Sequence, residues 1–236
     1  EWVAGDGRLM KRLSFQFHWR NRGYETFDDF VGEFRSSMRK KLRKERRVAA
    51  QSSLQIDKLH GDELSVSDWR AIERLYRATC GRKGSYPYLT PEFFELASTE
   101  LDGSPLVFAA RDDGRLVAAS LNFEKGGHLY GRYWGASQRH DMLHFELCYY
   151  RLIEHAIDQR MRRFEAGAQG THKLRRGLMP VPIYSGHWVR HPVLAQAVAD
   201  FLPREAASVQ LQIQELAEHG PFRRPEVESL DRRALG

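Results

Sequence analysis

The stretch PLVFAARDDGRLVAASLNFEKGGHLYGRYWGA (105–136) decides the fold of this chain. It contains three apolar runs of strand length, which are separated by the turn sequences DDG (112–114) and KGG (125–127). Such runs, joined by short Asp- and Gly-containing turns, are typical of antiparallel hairpins. We therefore predict a three-stranded antiparallel meander over 105–136.

Helical patterns lie on both sides of this meander. Apolar residues recur at helical spacing from Phe27 to Ala49, which predicts one amphipathic helix over about 27–50, with Glu45 interrupting its apolar stripe. Further helices are expected from Ser67 to Gly81, from Pro91 to about Leu101, over about 141–161, and over about 193–218 with Leu194, Val198, Phe201, Val209, Ile213 and Leu216 facing inward. Further strands are expected over 13–24, 54–60, 163–168 and 183–189.

This order of elements predicts an α+β fold in which helices flank a mostly antiparallel central sheet. The strand–helix–strand step that follows the meander requires at least one parallel crossover.

Composition excludes several classes of protein. The 236 residues are 42% hydrophobic and 29% charged, which is typical of a globular domain and not of a disordered, collagen-like or coiled-coil chain. No apolar run approaches the ~18 residues of a membrane span. The two cysteines, Cys80 and Cys148, fit neither a disulfide scaffold nor a Cys-rich zinc module, so we expect a cytoplasmic protein.

Two kinds of catalytic site are also disfavoured. His140 and His144 are four residues apart, but no acid completes an HExxH motif, and we expect no metal. No GxSxG motif is present, which argues against a serine nucleophile of the hydrolase type.

The positive charge of the chain is concentrated in one segment. RSSMRKKLRKERR (35–47) holds eight Lys or Arg residues and one Glu, a local net charge of +7 within a total of +6. A concentrated basic stripe attracts phosphates or acidic surfaces, and the alternative is a solvated helix face. The candidates for RNA binding are Arg39, Lys40, Arg43 and Lys44, which lie off the apolar stripe.

A first candidate site lies at the start of the helix after the meander, in HDMLHFELCYY (140–150). A helix N-terminus offers free backbone N–H groups and a positive dipole, so it binds anions and carbonyl oxygens. Glu146 or His144 could accept a proton from an amine there. The alternative is that Glu146 is a surface acid favoured by the helix dipole.

A second candidate site is the Gly-rich basic loop in FEAGAQGTHKLRRGLMP (164–180). Its glycines permit close backbone approach, and its basic residues suit a phosphate or a carboxylate, although solvated bases in a turn are an alternative. Glu165 lies in the preceding apolar strand, where a carboxylate is edge-exposed, salt-bridged or a base. The period of two predicts that Phe164 faces the core and that Glu165 points into a cleft.

Several of these segments resemble one known family. FQFHWRNRGYETFDDF and RKKLRKERR near the start, with LHFELCYYRLIEHAID and RFEAGAQGTHKLRRGLMPVPIYSGHW later, resemble the FemAB-like peptidoglycan biosynthesis/recognition family, which belongs to the GNAT acyltransferase superfamily. The resemblance runs from about Phe15 to Phe222. Members are usually longer and have a preceding GNAT-like half. We accordingly expect a strand and linker to such a half over 1–25, a GNAT-like acyltransferase domain over 26–222 and a flexible tail over 223–236.

The resemblance implies an acyltransferase fold in which a donor carbonyl is held between two splayed strands and is attacked by an amine. The catalytic candidates are Glu165, Glu146, His144 and His172. Candidates for donor or acceptor binding are Gly167, Gln169, Gly170, Lys173, Arg175 and Arg176, with Tyr133, Trp134, Tyr149 and Tyr184 lining the cleft. The acceptor is expected to be an amine-bearing small molecule or cell-wall precursor.

One departure from the superfamily bears on the donor. Ordinary GNAT enzymes bind the pyrophosphate of coenzyme A with a Gly-rich loop, whereas SQRHDMLHF (137–145) has no glycine. FemAB relatives use aminoacyl-tRNA instead. We expect no tightly bound cofactor, and either aminoacyl-tRNA or acyl-CoA as co-substrate.

Two other interpretations of the chain stay open. It could be a non-catalytic GNAT-like binding module for RNA or an anionic cell-wall precursor. The basic helix could instead be an interface with a preceding half of the protein.

Overall fold

The computed structural model describes residues 9–101 and 104–223. The chain divides into two compact units. The first unit combines Glu1–His18 with Gly167–Gly236, and the second runs continuously from Trp19 to Ala166. Residues 1–8 of the expected N-terminal segment and 224–236 of the expected tail lie outside the described residues.

The elements follow one another in the order expected for an α+β fold. They are β1 (Met10–Arg20), α1 (Phe27–Gly32), α2 (Ser36–Ala50), β2 (Gln55–His60), α3 (Val66–Arg82), α4 (Pro91–Thr99), β3 (Pro105–Asp112), β4 (Arg115–Lys125), β5 (His128–Ala136), α5 (Leu143–Phe145), a π-helix (Glu146–Tyr150), α6 (Arg151–Asp158), β6 (Arg163–Glu165), β7 (Met179–His187) and α7 (Pro192–Glu218), with short 3-10 helices at Gly61–Glu63 and Thr171–Arg176. In the described ranges, no helix is both long enough and apolar enough to cross a membrane.

The second unit is built on strands in the order β2-β3-β4-β5-β6. Strands β3 to β5 pair antiparallel, as the two turn sequences predict, and β2 pairs antiparallel with β3. Strand β5 pairs parallel with β6 across the intervening helical segment. The predicted meander and the parallel crossover are therefore both confirmed, and so is the α+β fold class.

Helices cover both faces of this sheet. On one face, α3 and α4 bury Trp69, Leu75 and Phe94 against Val107 and Leu121. On the other face, the Ser120 hydroxyl donates a hydrogen bond of 3.0 Å to the carbonyl oxygen of Leu147, which places the π-helix there.

The first unit contains an antiparallel pair of strands and a long helix. Strand β1 pairs with β7 from Met10↔His187 to His18↔Met179. Helix α7 continues through Pro203 and buries Leu202 and Ile213.

Two predictions about helices were wrong. The single helix expected over 27–50 is two helices, because Gly32 ends α1 and Phe34 leaves the helical path to pack its ring 5.0 Å from that of Phe30. In α7, Leu194 and Phe201 do not face inward. They are 55% and 49% exposed, since the buried side of the helix is centred on Leu202 and Ile213.

The helix expected over 141–161 is shorter and irregular. Met142 adopts a left-handed conformation (φ 60°), which delays the helix to Leu143. The five-residue π-helix follows, and the regular helix ends at Asp158, before Arg160 with φ 51°.

Candidate active site

Strands β5 and β6 stay together for only three residues. The parallel pairs are His128↔Arg163, Leu129↔Phe164 and Tyr130↔Glu165. Strand β5 continues to Ala136, and in the described part of this unit no strand pairs with residues 131–136 on the β6 side. The separation leaves backbone hydrogen-bonding groups of β5 available to a ligand. We call this space the β5–β6 gap.

A bulge lies at the start of the gap. The β4–β5 register shifts between Leu121↔Tyr133 and Asn122↔Gly131, so Arg132 has no cross-strand partner in that ladder. Bulges are frequent beside active sites, where they redirect side chains. Gly131 is required here, because a Cβ atom on it would lie 2.9 Å from the ring of Phe164.

Glu165 is the last paired residue of β6 and so lies where the gap begins. Phe164 is fully buried, as predicted, and the alternation of the strand turns Glu165 to the opposite face. The Glu165 side chain is 12% exposed, and its Oε1 atom lies 2.8 Å from Nη2 of Arg163. The carboxylate is therefore held in place by a guanidinium on its own strand.

His128 and Tyr130 share this face with Glu165. The Tyr130 hydroxyl and His128 Nδ1 are 3.5 Å apart, and the guanidinium of Arg132 lies 5.2 Å from the centre of the Tyr130 ring. Burial lowers the pKa of His128, and the positive charges of Arg163 and Arg162 lower it further against an opposing effect of Glu165. A neutral imidazole at neutral pH is available to accept a proton.

Tyr133 continues the same face toward α3. Its hydroxyl accepts a hydrogen bond of 3.2 Å from the Tyr88 hydroxyl, and its ring lies 5.2 Å from that of Tyr76. Burial raises the pKa of Tyr133 well above that of free tyrosine, and the hydrogen bond with Tyr88 raises it further. Tyr133 therefore stays a neutral phenol throughout the physiological pH range.

Three other candidates meet on the opposite face of the sheet. Trp134 pairs with Ser120, whose side chain contacts the π-helix, and the His144 ring lies 5.3 Å from that of Trp134 and 5.6 Å from that of Tyr149. Tyr130, in contrast, pairs with Phe123, which packs against the α3–α4 core. Glu165 and His144 therefore lie on different faces and do not form one catalytic pair.

Glu146 is not a surface acid, so that interpretation was wrong. It is 4% exposed, and Nη2 of Arg46 donates a hydrogen bond of 3.0 Å to its Oε1. Arg151 Nε also lies 3.0 Å from Oε1, but the contact is too bent for a hydrogen bond. Arg46 and Arg151 each form an ion pair with Glu154 as well.

Arg46 connects this cluster to the basic helix α2. Its guanidinium also stacks 4.6 Å from the ring centre of Phe27. Burial by itself would lower the pKa of Arg46, but its hydrogen bonds to Glu154 and Glu146 outweigh this effect and raise the pKa above the ordinary value. Next to it, buried Glu45 accepts a hydrogen bond of 2.5 Å from the Tyr150 hydroxyl, which explains a carboxylate on the apolar stripe.

Three backbone N–H groups at the end of the glycine-free segment 137–145 are engaged within their own turn. The N–H groups of Phe145 and Glu146 both donate to the carbonyl oxygen of Met142 at 3.0 Å, and that of Leu143 donates to His140 at 3.4 Å. These amides point into the turn, so they are not presented together to a pyrophosphate.

The Gly-rich basic loop belongs to the first unit. Gly167, Gly170 and Gly177 all have positive φ angles, so the loop needs residues without a side chain at these places. Lys173 and Arg176 are buried, and they donate to the carbonyl oxygens of Gly167 (3.3 Å) and His172 (2.8 Å). The alternative of solvated bases therefore holds only for exposed Arg175.

Three further candidates also lie in the first unit. Gln169 is exposed, and His172 is partly buried beside Gly170, where a Cβ atom would lie 2.3 Å from the imidazole. Tyr184 on β7 is 38% exposed, and Lys11 Nζ lies 4.4 Å above its ring.

The four RNA-binding candidates on α2 differ in their surroundings. Arg39 Nη1 lies 3.4 Å from the Gly32 carbonyl oxygen, and Arg43 forms an exposed ion pair of 3.2 Å with Asp28. Lys40 and Lys44 are exposed and have no polar partner among the described residues. They are one helical turn apart and point away from the Arg46 cluster.

Sequence reasoning missed His128 and Tyr130 as members of the site. The signal was available in the alternation of the strand, because residues of the same parity on neighbouring strands share a face. In the described residues, no group of three or more His, Cys, Asp or Glu side chains is arranged to hold a metal ion.

Comparisons with known proteins agree with this architecture. Residues 3–224 match the FemAB-like family, which is described as peptidoglycan biosynthesis/recognition. No curated protein matches the sequence. Three similar solved structures are the C-terminal domain of a putative lysylphosphatidylglycerol synthetase from Agrobacterium fabrum (TM-score 0.58), FemX (0.55) and L-PGS from Bacillus licheniformis (0.52).

Each of the three is 11% identical to this chain, which shows a shared GNAT-like fold and no more. The matches cover 85%, 77% and 81% of this chain, in that order. They cover 67%, 63% and 67% of the other chains, so this chain spans about two thirds of their length.

Proposed function

The chain belongs to the FemAB-like family of peptidoglycan biosynthesis/recognition proteins, and we propose that it is an acyltransferase acting on an amine of a cell-wall precursor. The observation that carries the proposal is the β5–β6 gap, which opens at Glu165 and along which no strand in the described part of the second unit pairs with the β6 side of β5. A gap of this kind can hold an acyl group in line with an incoming amine. Such positioning supplies a large part of the rate in bimolecular transfer.

The proposed reaction forms a C–N bond between the amine and the donor carbonyl carbon. The bond from that carbon to the oxygen or sulfur of the donor breaks, and the amine loses one proton. We assign the proton to Glu165, because its carboxylate lies at the start of the gap and is fixed by Arg163. Tyr133, a neutral phenol on the same face, is suited to give a proton to the leaving group.

His128 is the nearest alternative base, since it shares the face of Glu165 and its lowered pKa keeps it neutral. His144 lies on the opposite face with Trp134 and Tyr149, so we propose that it contacts the donor. The oxygens of Glu146 are engaged by Arg46 and Arg151, so we propose that it fixes the basic helix.

The Gly-rich basic loop of the first unit is proposed to bind the phosphate or carboxylate of a substrate. The support is its composition and its positive-φ glycines, which allow an anion to approach the backbone. Gly167, Gln169, Gly170, His172, Lys173, Arg175, Arg176 and Tyr184 remain candidates for this role.

We propose aminoacyl-tRNA as the donor in preference to acyl-CoA. Two observations support this choice. The backbone N–H groups of Leu143, Phe145 and Glu146, which follow β5, are engaged within their own turn. Helix α2 also presents Lys40 and Lys44 to solvent without a partner among the described residues.

A transfer assay with two labelled donors tests the proposal. The protein is incubated with an amine-bearing peptidoglycan precursor and either tRNA carrying a radiolabelled amino acid or labelled acetyl-CoA. We expect label from the tRNA on the precursor, and none when the precursor amine has been acetylated beforehand. RNA or precursor binding without transfer from either donor would support the binding-module alternative and contradict the proposed reaction.

A further inference from the structure

A groove lies between helices α3 and α4, on the outer side of the second unit. It has a volume of about 470 Å³, within the ~300–1,000 Å³ that is usual for small-molecule sites. Its apolar lining includes Trp69 and Phe94, and its polar lining includes Arg70, Glu73, Arg74 and Glu95. None of these residues belongs to the β5–β6 gap.

Trp69 lines this groove and carries an unused hydrogen-bond donor. The residue is 2% exposed, and its indole N–H has no acceptor in the described part of the chain. A buried donor without an acceptor costs stability, and most buried polar groups are paired. A ligand with a carbonyl or carboxylate oxygen in the groove would satisfy it.

Two guanidiniums stand beside Trp69 on α3. Arg70 and Arg74 are one helical turn apart and exposed, and neither forms an ion pair or hydrogen bond through its side chain in the described ranges. Glu73, which lies between them in sequence, is engaged by Arg77, with Nε 3.6 Å from Oε1. The α3 side of the groove therefore presents unpaired positive charge.

The α4 side presents the opposite charge. Glu95 is exposed and has no ion-pair partner among the described residues. A purely anionic ligand would meet this carboxylate, and a purely cationic ligand would meet Arg70 and Arg74. A ligand with both charges and an apolar body complements the whole lining.

We propose that this groove binds a zwitterionic ligand of the size of an amino acid or short peptide. Its carboxylate lies at Arg70 and Arg74, its ammonium group lies at Glu95, and its side chain lies against the apolar lining of the groove. A ligand oxygen accepts the Trp69 indole N–H. The site is independent of the proposed transfer reaction, because it uses no residue assigned to that reaction.

The indole N–H signal of Trp69 provides a direct test by ¹H–¹⁵N NMR. The chain has five tryptophans, and Trp69→Phe identifies the signal by its disappearance. The probe is the dipeptide L-alanyl-L-phenylalanine. Two neutralised forms of the dipeptide serve as comparison probes. The C-terminal amide lacks the negative charge, and the N-acetyl form lacks the positive charge.

We expect the dipeptide to shift the Trp69 signal saturably, and each neutralised form to bind at least ~10-fold more weakly, as for loss of a hydrogen bond to a charged group. Arg70→Gln with Arg74→Gln should weaken dipeptide binding to the same extent and abolish the preference for the acid over the amide. The matched control, Lys58→Gln with Lys125→Gln, removes equal exposed charge outside the groove and should bind like the parent. No saturable shift, or equal affinity for all three probes, would overturn the proposal.

Discussion

Arg46 on the basic helix and Glu146 on the π-helix are 100 positions apart in sequence, and their Nη2 and Oε1 atoms lie 3.0 Å apart. The side chains are 24% and 5% exposed, so the pair is largely removed from water. Breaking a buried pair leaves an uncompensated charge, which costs far more than losing a surface pair. The pair therefore fixes α2 against the segment that follows β5.

Replacing Arg46 should accordingly destabilise the protein. We expect Arg46→Met to lower the free energy of unfolding by about 3 kcal/mol, the low end for a buried pair, because Arg151 still contacts Glu146. Urea denaturation measures the change. Arg43→Met is the matched control on the same helix, and loss of its exposed pair with Asp28 should cost less than about 1 kcal/mol. Equal losses in the two variants would show that the Arg46 cluster does not hold the helix.

The exposed lysines of α2 should contribute to RNA binding. Replacing Lys40 and Lys44 by Gln is expected to weaken binding and to reduce the slope of log K against log salt by about 1.4 for single-stranded RNA. Lys58→Gln with Lys125→Gln removes the same charge from strands β2 and β4 and should leave the slope unchanged. Filter binding at several salt concentrations measures both. A parent protein that does not bind RNA would contradict the tRNA-donor proposal.

Much of the fold could be predicted because its signals are local. The turns at 112–114 and 125–127 and the alternation of β3, β4 and β5 determine the meander, and the structure follows it closely. Glu45 also appeared as an interruption of the apolar stripe. Its partner could not be predicted, since Tyr150 is 105 positions away and is brought close only by tertiary packing.

The candidate site was less predictable. Glu165 and His144 were both candidates for the catalytic base, yet they lie on opposite faces of the sheet. The bulge at Arg132 and the left-handed conformation of Met142 decide which face each segment reaches. Neither conformation could be predicted from the sequence, because Arg and Met are not residue types that favour bulges or positive φ angles. Pattern alone therefore identified candidate residues and not their grouping.

Coenzyme A donors should bind poorly. The N–H groups of Leu143, Phe145 and Glu146 are engaged by carbonyl oxygens of their own turn, so they do not form a pyrophosphate cradle. We expect calorimetry with acetyl-CoA to give a dissociation constant weaker than the micromolar range. A micromolar or tighter value would show that another part of the chain supplies the pyrophosphate contacts.

His128 should make stability depend on pH in one window. The pKa of His128 is lower in the folded protein than in the unfolded chain. Between about pH 7 and about pH 5, the unfolded chain therefore binds more protons than the folded protein does. Stability from the neutral imidazole is present above the ordinary pKa of ~6.5 and is lost as the pH falls through the folded value.

The variant His128→Asn removes this contribution. Its unfolding free energy, measured by urea denaturation at several pH values, should fall less steeply than that of the parent between pH 7 and pH 5. Above about pH 7.5 the difference between the two proteins should be constant. A difference that stays constant from pH 5 to pH 8 would contradict the lowered pKa.

In the proposed reaction, Glu165 receives the amine proton at the start of the β5–β6 gap. Glu165→Gln keeps the shape of the side chain and removes its charge. The Arg163 side chain is 39% exposed, so its charge stays hydrated after the substitution, and we expect the melting temperature to stay within a few degrees of the parent. Glu92→Gln, at an exposed position on α4, is the matched control.

The decisive measurement is the rate of acyl transfer by Glu165→Gln, with whichever donor labels the precursor, alongside its melting temperature. We predict at least a ~100-fold loss of transfer, the low end for a general base, with the fold intact and the Glu92→Gln rate unchanged. A stable variant that transfers at the parental rate, or a variant that unfolds early but keeps its activity per folded molecule, would contradict the assignment of Glu165 as the base.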